Sequence, residues 1–191
     1  MYETTELKRE CDVIEIPSGV TGRLAAGTRV RIAQYLGNAY TIVTDFGYMC
    51  RLDGKDADAL GLASPAPANE LCVEKSVFSE SMVWDQLKTV YDPEIPVNIV
   101  DLGLIYSCEI SPHEKGKKIE VRMSMTAPGC GMGNVLKADV ESKLSRLPEV
   151  KEVNVQVVFD PPWHPGLMSE AAKLQLGFDL DYGAPSMAPV R

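Results

Sequence analysis

The 191-residue chain predicts an α+β protein in two parts: a small SH3-like β-barrel over residues 1–62, then an α-β-β-α-β-α unit with a small mixed sheet over residues 79–178. Three observations predict it. Short β-rich runs separated by tight glycine turns fill the front of the chain, the signature of a small antiparallel barrel. Further on, strand, helix and strand periodicities succeed one another from Lys117 to Phe159, an order that demands a right-handed crossover and hence parallel pairing. Between the halves, Ala63-Ser-Pro-Ala-Pro-Ala-Asn69 is rich in proline and small residues that bury little, so 63–78 reads as a linker.

Taken in order, residues 1–9 are polar and expected to fray. Cys11 to Ile16 is a strand closed by Pro17-Ser-Gly19. Thr28 to Tyr35 alternates Val30 and Ile32 with Arg29 and Arg31, and Gly37-Asn38 makes a hairpin turn into Ala39–Thr44. Phe46-Gly47 turns again into Tyr48–Leu52, and Asp56 caps a helical turn that Gly61 ends. Arg29, Arg31 and Arg51 are expected on a solvated face.

In the second part, a helix starts near Glu80, with Ser79 as cap and Val83, Leu87, Val90 and Tyr91 on one face; Pro93 and Pro96 stop it. Leu102 to Ile110 reads as a strand in which Cys108 is packing, and Ser111–Gly116 as a polar loop with His113 exposed. The next strand, Lys117 to Met125, sets Ile119, Val121, Met123 and Met125 against Glu120, Arg122 and Ser124. A helix carrying Leu136, Val140, Leu144 and Leu147 follows, then a strand with Val153, Val155, Val157 and Phe159 on one face. A last helix, capped by Ser169 and stopped by Gly177, is expected to turn Ala171 and Leu174 inward. The tail 179–191 has no periodicity and is expected to be disordered.

Composition excludes several classes. A net charge of −8 and a pI near 4.8 oppose binding to a phosphate backbone, which calls for a basic face. No apolar run approaches the roughly 20 residues of a membrane span, and the first residues lack a signal peptide's basic and apolar stretches, so a cytoplasmic location is expected. The five cysteines, Cys11, Cys50, Cys72, Cys108 and Cys130, are scattered and odd in number, which fits neither a disulfide framework nor a paired redox motif.

One of them stands apart. Cys130 lies in Thr126-Ala-Pro-Gly-Cys130-Gly-Met-Gly133, between the buried strand and the helix. Unpaired N–H groups at a helix start favour negative charge, so a thiol pKa of about 8.5 should fall there. Gly129 and Gly131 leave the sulfur open. A free cysteine is also often a small core residue, and that reading stays open.

The chemistry available to such a thiol is narrow. A nucleophile needs a base, and His113 and His164 are the only imidazoles; a redox cycle needs a resolving thiol, and none is near in sequence. A stable zinc or Fe-S site needs further ligands in a spaced set, which the chain lacks. One thiolate per subunit, helped by His164, Glu94 or Asp101, gives transient ligation completed by a second subunit or a partner. The prolines of Asp160-Pro-Pro-Trp163-His164-Pro-Gly166 hold Trp163 and His164 in place. A phosphate cradle ranks low, since the Gly-Lys-Ser/Thr ending of a P-loop is missing.

Asp92-Pro-Glu-Ile-Pro96, Asp101-Leu-Gly-Leu104 and Thr126-Ala-Pro-Gly-Cys130, in that order, resemble the small domain shared by iron-sulfur cluster assembly proteins, cytosolic iron-sulfur targeting factors and the N-terminal part of Mrp-type carriers. With Lys55-Asp-Ala-Asp-Ala-Leu-Gly61 in front and Met168 to Gly177 at the end, the chain is most similar to the SufT-like branch. The resemblance implies a non-enzymatic accessory role in maturing Fe-S proteins, with Cys130 as key thiol and Glu94, Asp101 and Thr126 around it. It implies no stably bound cofactor, a transient iron or Fe-S cluster, assembly proteins and client apoproteins as partners, and a homo-oligomer as one way to complete a site. Relatives often carry proline after the loop cysteine, where this chain has Gly131. The rival reading is an adaptor that docks clients through the barrel and the Trp163 segment, with Cys130 as packing.

Overall fold

A computed structural model describes residues 4–63, 77–129 and 131–178. Most of the expected linker, the tail 179–191, Cys72 and Cys130 itself lie outside the described residues. The remainder is α+β, with two sheets and two hydrophobic cores.

The front sheet has six antiparallel strands: β1 (Thr4–Glu6), β2 (Cys11–Ile16), β3 (Thr21–Leu24), β4 (Arg29–Leu36), β5 (Ala39–Thr44) and β6 (Met49–Asp53). Their order is β1-β4-β5-β6-β2-β3. Among the described residues β1 and β3 are not paired with each other, so the sheet is established but its closure into a barrel is not. Alternation works as expected: Val13, Val30, Ile42, Cys50 and Leu52 point into one core. The Gly37-Asn38 turn has both residues at positive φ, 59° and 68°, the twist a two-residue hairpin requires.

Three details differ from expectation. Residues 4–6 are not frayed: β1 pairs with Arg29–Arg31, and Leu7, 2% exposed, anchors it. An edge strand held by ladder hydrogen bonds needs no apolar alternation, which is why its polar sequence concealed it. The short edge strand β3 escaped for the same reason. The 3-10 turn Gly54–Leu60 is capped by Asp53, whose side chain accepts from the Lys55 N–H at 2.9 Å, and not by Asp56, which pairs with Arg9.

The rear unit runs α1 (Glu80–Leu87), β7 (Ile105–His113), β8 (Gly116–Met123), α2 (Gly133–Leu144), β9 (Val150–Val157) and α3 (Glu170–Gln175). Its sheet, β7-β8-β9, is mixed: β7 and β8 are antiparallel, while β8 and β9 are parallel across the α2 crossover. Val83, Leu87, Ile119, Met123, Val140 and Leu144 are fully buried in its core. No described helix is long and apolar enough to cross a membrane.

Here too some expectations shift. α1 stops at Leu87, before Val90 and the prolines, and β7 begins only at Ile105, because Leu102 and Leu104 are buried from within a turn. Ser79 has the extended backbone of a cap, but its hydroxyl bonds the Ser81 hydroxyl rather than a backbone N–H of the helix. Phe159 lies beyond β9 and is 47% exposed. α3 is rotated: Ala172 and Leu176 face the core, while Ala171 is exposed and Leu174 is 62% exposed. Two bonds set that rotation, Ser169 Oγ accepting from Ala172 N–H and Ser169 N–H donating to the Asp101 carbonyl at 2.8 Å. His113 is partly covered, its Nε2 lying 3.7 Å from Glu152.

Two seams join the units. At the first, Lys143 on α2 donates to the carbonyls of Gly37, 3.3 Å, and Thr89, 2.8 Å, and lies 3.8 Å from Asp139, which also meets Arg51 of β6. Arg51 is thus not on a solvated face; its side chain is 18% exposed. Gly37 presses so closely on the rear unit that a Cβ there would sit 2.6 Å from the Thr89 carbonyl oxygen. Gln34 adds a bond to the Pro93 carbonyl. At the second seam, the β2–β3 turn meets the segment leading into α2.

Candidate functional site

Three segments converge at one end of the rear sheet. There β7 begins and the parallel pair β8 and β9 ends, in the register Ile105–Met123–Val157. The turn before β7 is tied to the exit of β8 by the Ser124 N–H donating to the Leu104 carbonyl at 2.8 Å. The exit of β9 is tied to it by the Val158 N–H donating to the Met123 carbonyl at 2.8 Å. Loop 124–132 leaves from this junction. It sits beyond the carboxyl ends of parallel strands, where crossover folds generally present their functional groups.

The loop begins buried and turns outward. Ser124 and Met125 are buried, Thr126 half-buried, and Ala127, Pro128 and Gly129 exposed. Gly129, at φ 80°, has open space where a side chain would stand. Gly131 is half-buried and Met132 buried, one residue before α2 begins. The described loop therefore leaves the core at Met125, is exposed at residues 127–129 and returns to the core at Met132. Among the described residues no side chain caps α2.

Asp101 and Trp163 are brought together beside this junction. Asn98 braces the 98–101 turn, accepting from the Val100 and Asp101 N–H groups and donating to the Asp101 carboxylate at 2.6 Å. Trp163 is half-buried on the rear core and donates its indole N–H to the Leu102 carbonyl at 2.8 Å. His164, exposed, folds its ring over Gly166 and makes no side-chain hydrogen bond among the described residues. Glu94 stands apart. Its segment leans on the front sheet through the Gln34–Pro93 bond, and no described residue pairs with its exposed carboxylate. Asp92 does the structural work in that turn, accepting from the Glu94 and Ile95 N–H groups; burial pushes its carboxyl pKa up.

The described thiols are poor candidates for reaction. Burial pushes Cys11 and Cys50 up, and burial with the nearby Glu80 carboxylate pushes half-buried Cys108 up to about 11. Among the described residues no three of His, Cys, Asp and Glu converge to hold a metal ion.

One residue of the site escaped notice in the sequence. Ser124 is 1% exposed, and its Oγ has no hydrogen-bond partner among the described residues. It sat on the polar side of an alternating pattern that ends with β8 at Met123, one residue before it.

Comparison with known proteins comes out consistently. Residues 80–157 match the family described as iron-sulfur cluster assembly protein. The chain is 41% identical over 100 residues to an Fe-S protein maturation auxiliary factor of Porphyromonas gingivalis, covering 92% of that protein and 52% of this one. It is 37% identical over 95 residues to the Fe-S protein maturation auxiliary factor YitW of Bacillus subtilis, covering 90% of it and 50% of this chain. A solved domain of unknown function from Bacillus anthracis aligns with TM-score 0.46 and 40% identity over 52% of this chain and 92% of its own.

Proposed function

Because the chain belongs to the iron-sulfur cluster assembly protein family, we propose that it is an accessory factor in the maturation of Fe-S proteins, with the loop 126–133 as its working part and Cys130 as the thiol that contacts cargo. The observation that carries this is the loop's placement: a glycine-framed segment bulging from the carboxyl ends of β8 and β9 between two buried anchors, in the region the family match covers. The cluster is cargo. A single thiolate makes one bond to iron, so the other ligands come from the donor, the client or a second copy of this chain. Such incomplete ligation suits transfer, because a site that held its cluster fully would not release it. In this reading Thr126, in the loop itself, and Asp101, in the turn beside it, support Cys130, while Glu94 and His164 offer exposed side chains for cargo or partner contact. Residues 1–62 are a separate supporting domain joined through 63–78, and the protein works in the cytoplasm with assembly proteins and client apoproteins.

In cells lacking the protein, Cys130→Ser is expected to abolish support of Fe-S enzyme activity while circular dichroism of the purified variant is unchanged. Full support from the serine variant would remove the thiol role. A second reading, an adaptor that docks clients through the front sheet, is favoured by the exposure of Val20, Phe46, Tyr48 and Met49 around its β2–β3 and β5–β6 turns. Trp163 gives it less support, since its indole is committed to Leu102.

A further inference from the structure

The second seam between the units lies on the working loop. The β2–β3 turn, closed by the Glu15 N–H donating to the Val20 carbonyl and the Gly19 N–H donating to the Glu15 carbonyl, packs backbone to backbone against Gly131. The fit is reciprocal. A Cβ on Gly131 would run into the Ser18 carbonyl, and one on Gly19 would run into the Gly131 carbonyl. Gly19 has φ 71°, whereas Gly131 is outside the left-handed region, so a side chain at 131 is excluded by the neighbouring turn and not by its own backbone. The front sheet is at the same time anchored to the C-terminal turn of α2 and the turn after α1 through Lys143, which bonds Gly37 and Thr89. Its position relative to the loop is therefore set from elsewhere.

We propose that the β2–β3 turn is a positioning element for the functional loop: Ser18 and Gly19 brace the loop's second leg at Gly131 and thereby set how the segment between Gly129 and Met132 is presented. This accounts for glycine at 131, since any larger residue would push the turn away. It also assigns the front unit a role in cis that the relatives, little more than half this chain's length, have no room to supply in the same way. The inference rests on the loop being the working part. Its test reads the contact itself, so failure of the Cys130→Ser experiment and failure of this one are distinguishable.

The experiment is hydrogen–deuterium exchange with peptide-resolved alkylation of Cys130 across pH, on the full chain. Gly19→Ala and Gly131→Ala are compared with Gly27→Ala, a turn glycine of the same sheet at φ 81° with nothing within 4 Å of its would-be Cβ. The two contact variants are expected to exchange amides of the 126–133 peptide about tenfold faster and to shift the pH profile of Cys130 alkylation, with Gly27→Ala matching wild type. Unchanged loop exchange in folded Gly131→Ala would overturn the proposal. So would equal loosening by Gly27→Ala, which would mean general strain in the sheet. Should the alanine variants not fold, wild-type NMR decides: an Hα–Hα NOE between Gly19 and Gly131 supports the brace, and its absence overturns it.

Discussion

The front and rear sheets use opposite strategies. In the front sheet five strands are joined by hairpins, β2 to β3 and β4 to β5 to β6, so contacts are mostly local and polar groups are spent on turns. The rear sheet contains a parallel pair that needs α2 to cross over, and this leaves the ends of three strands open to loops. The difference teaches where each unit can carry function. Hairpin turns are short and committed to closing the sheet, whereas crossover ends gather segments distant in sequence, here the 98–104 turn, the 124–132 loop and the 158–169 segment. The front unit then contributes by what its turns touch.

The largest way to break this division is through the cores. Leu144→Ala in the rear core and Ile42→Ala in the front core each remove a fully buried side chain and are expected to cost about 2–5 kcal/mol. If the units are distinct cores joined by two seams, exchange should rise first in the sheet that carries the substitution; uniform loosening of both would show one cooperative core instead.

Lys143 sharpens the comparison at the first seam, since it is the cation that binds a front turn to a rear one. Lys143→Met leaves the Gly37 and Thr89 carbonyls without their donor and should cost about 1–3 kcal/mol. Burial lowers the Lys143 pKa below its ordinary 10.5, against the pull of Asp139. Between the lowered value and 10.5 the unfolded chain holds more protons, so wild-type stability rises with pH in that window and the variant's does not. Denaturant midpoints across alkaline pH check this: a gap between the two proteins that narrows would contradict it.

The smallest effect belongs to Asp92, which serves the rear unit alone. Its raised pKa means that, from 3.8 up to the folded value, the folded chain holds a proton the unfolded one has lost, so stability falls as pH rises. Asp92→Asn keeps the acceptor for the Glu94 and Ile95 N–H groups and removes the buried charge. It is expected to flatten the acid limb and leave neutral stability equal or higher by less than ~1 kcal/mol. A clear loss at neutral pH would mean the ionised form is needed.

What the chain's pattern determined by itself was local: strand alternation at Val30–Ile32 and Ile119–Met123, the Gly37-Asn38 hairpin, the Gly61 stop, and the strand-helix-strand order that required parallel pairing. These depend on backbone geometry and on one buried face, and both are periodic in sequence. The polar edge strands β1 and β3 carry no such period, because hydrogen bonds to a neighbour hold them. The helix α3 was placed correctly but rotated, since six residues are too few for a pattern to outweigh one cap and one bond to Asp101. The motifs around Thr126, Glu94 and Asp101 were legible as a set, yet nothing in them showed that Asp101 and Trp163 sit at one end of the sheet while Pro93, next to Glu94, bonds the other unit. Tertiary structure alone decided that Ser124 is buried, that Lys143 and Arg51 leave the solvent, and that Gly19 meets Gly131. Each is a meeting of residues many positions apart, and a non-periodic contact of that kind leaves no trace in either segment's own spacing.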